Sequence, residues 1–150
     1  MVNKIENRIF TIGHSTRKLD ELVAVLRCYN VLALVDVRNF PSSKRNPQFN
    51  KNNVEIKLQE SGIQYYWIEE LGGFREGGYE KYMDSEDFKS GVKKLIEIAK
   101  QKTAAIMCAE LLWFRCHRAS IASLLTKNGW DVAHIFDEKR SQTHKLRKEP

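Results

Sequence analysis

Alternating strand-like and helix-like segments predict a single three-layer α/β domain, with a mostly parallel, five-stranded sheet covered by helices on both faces. Three observations carry this expectation. Short β-branched or apolar runs recur at 8–12, 31–37, 63–68, 103–108 and 130–136. Segments with apolar residues at helical spacing separate most of them. The run VLALVDV (31–37) is nearly continuous in apolar side chains, as expected of a strand buried on both faces.

RIFTI (8–12) reads as the first strand. GHST follows, and Ser15 or Thr16 can cap a helix whose Leu19, Leu22, Val23 and Leu26 share one face, with Cys28 near its end. VLALVDV is the second strand. RNFPSSKRNPQFN (38–50) has two prolines and no acidic residue and must be a loop. A helix over 50–62 turns Val54, Leu58 and Ile56 inward, and Gly62 can close it. IQYYWI (63–68) is the third strand, and 69–83 is a glycine-punctuated loop, read as a flap with Tyr79 and Tyr82 as lid rings. Asp84 or Ser85 caps a longer helix with Phe88, Val92, Leu95, Ile96 and Ala99 as its buried stripe. TAAIMC (103–108) is the fourth strand. Helical spacing resumes near His117, stops at Asn128-Gly129, and WDVAHIF (130–136) is the fifth strand.

A chain of 150 residues suits one hydrophobic core. The domain is expected to span 1–137, followed by a basic tail over 138–150 with five Lys/Arg against two Glu. That tail reads as solvated, or as a weak, salt-sensitive attraction to nucleic acid or another polyanion. No apolar run approaches the roughly 20 residues needed to span a bilayer, and the start of the sequence does not look like a signal peptide. Three cysteines form no dense framework. A reducing, cytoplasmic setting without membrane contact is expected.

A parallel sheet gathers the residues that leave its strands at one edge, where ligands bind. Here that edge would collect His14 and Ser15, then Asp36 and Arg38, and finally Cys108 and Glu110. Cys108 lies where a buried strand becomes a loop feeding a helix. Backbone N–H groups and the helix dipole there favour a thiolate, and Arg115 and Arg118 could strengthen the effect or grip an oxyanion. The competing reading is a buried, inert cysteine. Cys116 is open to three readings: a resolving thiol for Cys108, a metal ligand beside Cys108 and His117, or a structural or anion-binding residue at the helix start. Neither a second zinc-ligand pair nor a nucleotide glycine fingerprint is present, so no metal or cofactor is expected. His14 and His117 are candidate proton carriers, with Glu110 orienting one of them. Arg38, Lys44, Arg45 and Lys51 interleave with Phe40 and Phe49, which suits a phosphate-bearing or nucleotide-like ligand. Asp36 and Arg38, two apart in an extended segment, point the same way and can pair.

TIGHST, LVDVRNFPSSKRNPQFN, YYWIEELGG and MCAE followed by RCHR resemble the domain-of-unknown-function 488 family over nearly the whole chain. The resemblance implies an intracellular α/β domain and directs attention to His14, Ser15, Asp36, Arg38, Cys108, Glu110, Cys116, His117 and Arg118. LVDVRNF, and AAIMC followed by RASIASLLTKNGWDVAHI, are similar to rhodanese-like domains in content and chain order. That similarity implies Cys108 as the nucleophile, the backbone amides of 109–115 as an anion cradle, and Asp36 and Arg38 as supports. The loop departs from that pattern through bulky Leu111, Leu112, Trp113 and Phe114. The expected function is a thiol-dependent enzyme acting on an anionic sulfur- or phosphate-bearing substrate. The alternatives are a nucleic-acid-associated module without catalysis, or a structural or metal-binding module.

Overall fold

The apolar runs become strands of one sheet, and the amphipathic segments become the helices that cover it. The structure is a computed structural model, and it describes residues 7–146. The parallel strands are β1 (Arg8–Gly13), β2 (Ala33–Asp36), β3 (Gln64–Trp67), β4 (Ala104–Cys108) and β5 (Asp131–Ile135). The principal helices are α1 (Leu19–Cys28), α2 (Lys51–Glu60), α4 (Glu86–Gln101) and α5 (Arg118–Lys127), with a single turn, α3 (Tyr79–Tyr82), between β3 and α4. A sixth strand, β6 (Ser141–Thr143), pairs antiparallel with β5, giving the order β3-β2-β4-β1-β5-β6.

Strand alternation sorts the core into two halves. Ile9, Val35, Ile106, Cys108 and Val132 pack with Phe88 and Leu95 of α4 and Ile121 and Leu125 of α5. Phe10, Ile12, Leu34, Met107 and Ile135 pack with Leu22 and Leu26 of α1 and Val54 and Leu58 of α2. Ser85 caps α4 by accepting the Phe88 N–H, and Gly62 and Gly129 take the positive φ that ends α2 and α5. Among the described residues no helix is long and apolar enough to cross a membrane.

Several local expectations need correcting. The sheet has six strands, because Ser141–Thr143 in the expected tail pairs with β5, and His144 behind it is buried. A three-residue polar edge strand has no periodicity to announce it. The rest of that tail, 147–150, lies outside the described residues. Neither Ser15 nor Thr16 caps α1, whose N-cap is Lys18. Ile56 faces solvent. Phe49 is buried and stacks on His14, so of the two rings expected around a ligand only Phe40 is available. Tyr79 and Tyr82 pack edge-on against Phe88 and donate to the Leu71 and Glu70 carbonyls. They anchor the 69–83 segment instead of forming a lid.

The register levels the strand ends. Gly13 stands beside Cys108, and Asp36 beside both Met107 and Trp67. The neighbours β1 and β4 send their chains to opposite faces, to α1 and to α5. This is the kind of switch point at which an α/β sheet opens a ligand crevice.

Candidate functional site: a paired thiol at the sheet edge

Cys108 ends β4 on the face covered by α5, and Cys116 stands just before α5 begins. The seven-residue excursion between them (109–115) folds back over β1. It can do so because Gly13 has no side chain: a Cβ there would lie 1.9 Å from the Glu110 carbonyl oxygen. The chain thus returns Cys116 Sγ to 2.9 Å from Cys108 Sγ, with both cysteines free.

The two sulfurs are electrostatically unlike. Cys116 accepts the Arg118 backbone N–H at 3.3 Å and the Arg118 Nε–H at 3.4 Å. Cys108 is 3% exposed, and its nearest recipient other than Cys116 is the Glu110 carbonyl at 3.7 Å. The Cys108 S–H, the neighbouring His117 and Arg118 together hold the Cys116 thiol well below the ordinary thiol range, against the opposing effect of burial. Donation to Cys116, and then burial, push Cys108 the other way. The features expected to lower a thiol at Cys108 gather instead around Cys116, which meets both the guanidinium and the start of α5.

Arg118 contributes to this asymmetry through the two N–H groups it places on Cys116. It is 1% exposed, and among the described residues no carboxylate lies within ion-pair distance of it. Its remaining donors go to Thr11 Oγ1 at 3.2 Å, the Glu110 carbonyl at 2.6 Å and the Leu111 carbonyl at 3.2 Å. A buried cation needs a counter-charge, and the adjacent group able to supply one is the Cys116 sulfur. The expected anion-gripping role of Arg118 is thereby corrected: its fork is occupied by the protein.

On the other face of the sheet Arg38 forms a fork with Asp36, Nη2 to Oδ2 at 2.7 Å and Nε to Oδ1 at 2.9 Å, both residues buried. Tyr65 donates to the same carboxylate at 2.6 Å, and burial with the Asp36 charge raises its phenol. Arg38 Nη1 faces His14 Nε2 at 3.4 Å. His14 Nδ1 donates to the Ser15 carbonyl at 2.9 Å, which leaves Nε2 as the acceptor for Arg38. Burial, and after it the Arg38 charge, lowers His14 to about 4. Burial thus favours a neutral His14, whose Nε2 faces Arg38 as an acceptor. Ser15 acts through its backbone, held at φ 47° with its N–H on the Ala109 carbonyl.

These groups line an open cleft of about 670 Å³. Cys108, Cys116, Ala109 and His14 line it together with Arg38, Asn39 and Phe40. Gly73, Phe74, Arg115 and His117 add to the lining. His117 Nε2 donates to the Val37 carbonyl at 2.7 Å. Its Nδ1 packs where a Gly73 Cβ would be, 2.4 Å away. Arg115 is exposed, and among the described residues its side chain makes no hydrogen bond or ion pair. Glu110 lines the cleft, but its carboxylate meets the Leu112 N–H at 3.4 Å and neither histidine. Its expected orienting role is thus replaced by its carbonyl, which receives Arg118. Arg45 is exposed and does not line the cleft.

Sequence reasoning missed Asn39 and Phe74. The Asn39 side chain donates to the Phe74 carbonyl and accepts its N–H, bracing the two segments. The Gly72-Gly73 pair was the available signal, since both glycines sit against this brace or against His117. No group of three or more His, Cys, Asp or Glu side chains among the described residues is arranged to hold a metal ion.

A family model described as "Domain of unknown function DUF488" matches residues 18–125. No curated protein and no solved structure matches the chain.

Proposed function

The chain belongs to the DUF488 family, and we propose that it is a thiol-dependent enzyme whose Cys116 thiolate attacks an anionic, sulfur-bearing substrate. The observation that carries this reading is the 2.9 Å approach of Cys108 Sγ to a Cys116 Sγ that also faces the buried Arg118. A second thiol in contact with the first serves sulfur exchange and has no part in phosphoryl transfer, which favours the sulfur donor over the phosphate ester.

The cleft supplies the remaining parts. Arg115 at the rim is an uncommitted cation for the substrate's charge. Arg38 also lines the cleft, its charge paired with Asp36 and its Nη1 facing His14. Cys116 attacks one sulfur of a disulfide: the Cys116–S bond forms, the S–S bond breaks, and the departing thiolate takes the electron pair and then a proton. That proton is the one Cys108 gives up in the next step. Cys108 next gives up its proton and attacks Cys116 Sγ, releasing the second thiolate and leaving a Cys108–Cys116 disulfide. The substrate gains two electrons and the dithiol loses two, so an external thiol must reduce the pair for another turnover. The leaving group of this second step is the substrate's own thiolate, so a substrate with an acidic thiol keeps the mixed disulfide on Cys116 short-lived while Cys108 is present.

Mass spectrometry after exposure to a carboxylated aryl disulfide tests the scheme. Wild-type protein should end as the internal disulfide, and Cys108→Ser should stop at the adduct on Cys116. Adduct formation in Cys116→Ser at the wild-type rate would reject the assignment.

A second reading rests on Phe40 and Phe74, which line the cleft while 78% and 87% exposed. With Arg115, and Lys44 and Arg45 nearby in sequence, they resemble a stacking and phosphate surface for single-stranded nucleic acid. That reading requires binding that weakens steeply with salt and is lost in Phe40→Ala with Phe74→Ala.

A further inference from the structure

Behind the thiol pair runs a chain of polar side chains that the reaction above does not use. Thr11 Oγ1 lies 2.6 Å from His134 Nδ1, His134 Nε2 lies 2.9 Å from His144 Nδ1, and His144 Nε2 lies 2.9 Å from Ser123 Oγ. Thr11, His134 and His144 are all buried. The chain joins β1, β5, the segment after β6, and α5.

Its hydrogens have one direction. Arg118 Nη1 can only donate, so Thr11 Oγ1 accepts from it at 3.2 Å. The buried Thr11 O–H then needs an acceptor, and among the described residues its other partner is His134 Nδ1. His134 must therefore carry its proton on Nε2 and donate to His144 Nδ1, and His144 must donate from Nε2 to Ser123. This alternation requires a neutral His134, and burial foremost, followed by the His144 and Arg118 charges, lowers His134 to about 3. A guanidinium at the head of the chain does not give up its proton at any ordinary pH. The chain therefore orients groups and conducts no proton.

The same imidazole supports the loop between the cysteines. Trp113 stacks on His134, centroids 4.3 Å apart and planes within 1°, and meets the His144 ring edge-on at 5.1 Å. Its indole N–H donates to Gln142 of β6 at 3.2 Å. An all-apolar contact would fill this space more cheaply. What the polar version adds is a fixed acceptor for Arg118 on one side and a stacking plate under the loop on the other.

We propose that His134 is a positioning residue for the thiol site: through Thr11 it holds the Arg118 guanidinium against the Cys116 sulfur, and through Trp113 it holds the loop that presents that sulfur. This rests on the reading of Cys116 as the thiolate. It extends the site to the segment after β6, whose His144 closes the chain.

The test is the pH midpoint of alkylation at Cys116, resolved by mass spectrometry, in wild-type protein, His134→Phe, His134→Gln and Thr11→Val, with each variant's melting temperature. Phe and Val should raise the Cys116 midpoint by about one pH unit, roughly the differential of one strong polar contact. Gln can accept from Thr11 and donate to His144, so it should return the midpoint most of the way. Midpoints that stay at the wild-type value in both Phe and Val, even with lower melting temperatures, would show a purely structural role and overturn the proposal. Thr11→Val, nearly isosteric, decides the matter if His134→Phe fails to fold. A wild-type midpoint in the ordinary thiol range would instead remove the reading on which the proposal rests, and the proposal with it.

Discussion

Two cysteines of the same chemistry are made different by their neighbours: Cys116 meets the Cys108 sulfur, His117 and the Arg118 donors, while Cys108 has, among the described residues, only the Glu110 carbonyl as a hydrogen-bond partner besides Cys116. Arg118 has no carboxylate partner among the described residues and places its Nε–H and its backbone N–H on Cys116. Cys116→Ser leaves that cation without its counter-charge, and a loss of about 3 kcal/mol is expected in chemical denaturation, the scale of breaking a buried pair. Cys108→Ser keeps a donor beside Cys116 and should cost far less. Asp36→Asn, which strips the charge from the buried partner of Arg38, should likewise cost about 3 kcal/mol. Which sulfur would be the thiolate was not legible in the sequence: the spacing of Cys108 and Cys116 says that they can meet, and only the path of the intervening loop says which of them faces Arg118. Arg118 itself read as a ligand-binding cation because a sequence does not show that Thr11 and two loop carbonyls occupy its fork.

At the scale of elements, the loop from Cys108 to α5 is held from both sides. Gly13 admits it from β1, and Trp113 seats it on His134. Gly13→Ala would drive a methyl group into the Glu110 carbonyl and is expected to cost roughly 1–3 kcal/mol by overpacking. Displacing the loop should also slow oxidation of Cys108 and Cys116 to a disulfide, which diamide titration would show. The strands, the main helices and the gathering of His14, Asp36, Arg38 and Cys108 at one edge were legible because apolar periodicity fixes which segments are strands, and parallel strands share an edge. The brace between Asn39 and Phe74 was not, since it joins residues 35 apart in sequence through a contact that carries no periodic signal. β6 escaped notice because SQT is polar and three residues long, and its pairing depends on the edge that β5 offers.

For the molecule as a whole, buried neutral histidines set the acid response. His14 is lowered to about 4 and His134 to about 3, each from the ordinary 6.5 of an imidazole. A depressed pKa means that the folded state binds fewer protons than the unfolded chain between the two values. Their contribution to stability is therefore complete above about pH 6.5 and is lost as pH falls toward 4 and 3. The Cys116 thiolate acts with the same sign at higher pH, its contribution being complete above the roughly 8.5 of an unfolded thiol and lost as pH falls through its depressed folded value. Melting temperature should accordingly fall as pH drops below about 8.5 and more steeply below about 6.5, and the steeper part should be shallower in His134→Gln, which removes one of the titrating groups.

The most direct test is the alkylation rate of each cysteine in the folded protein at about pH 6, well below the ordinary thiol pKa, with exposed Cys28 as the comparison in the same sample. Cys116 should react and stay reactive, while buried Cys108 remains unmodified. Cys108 reacting ahead of Cys116, or Cys116 remaining silent until the pH approaches that of an ordinary thiol, would contradict the assignment of the thiolate and the chemistry built on it.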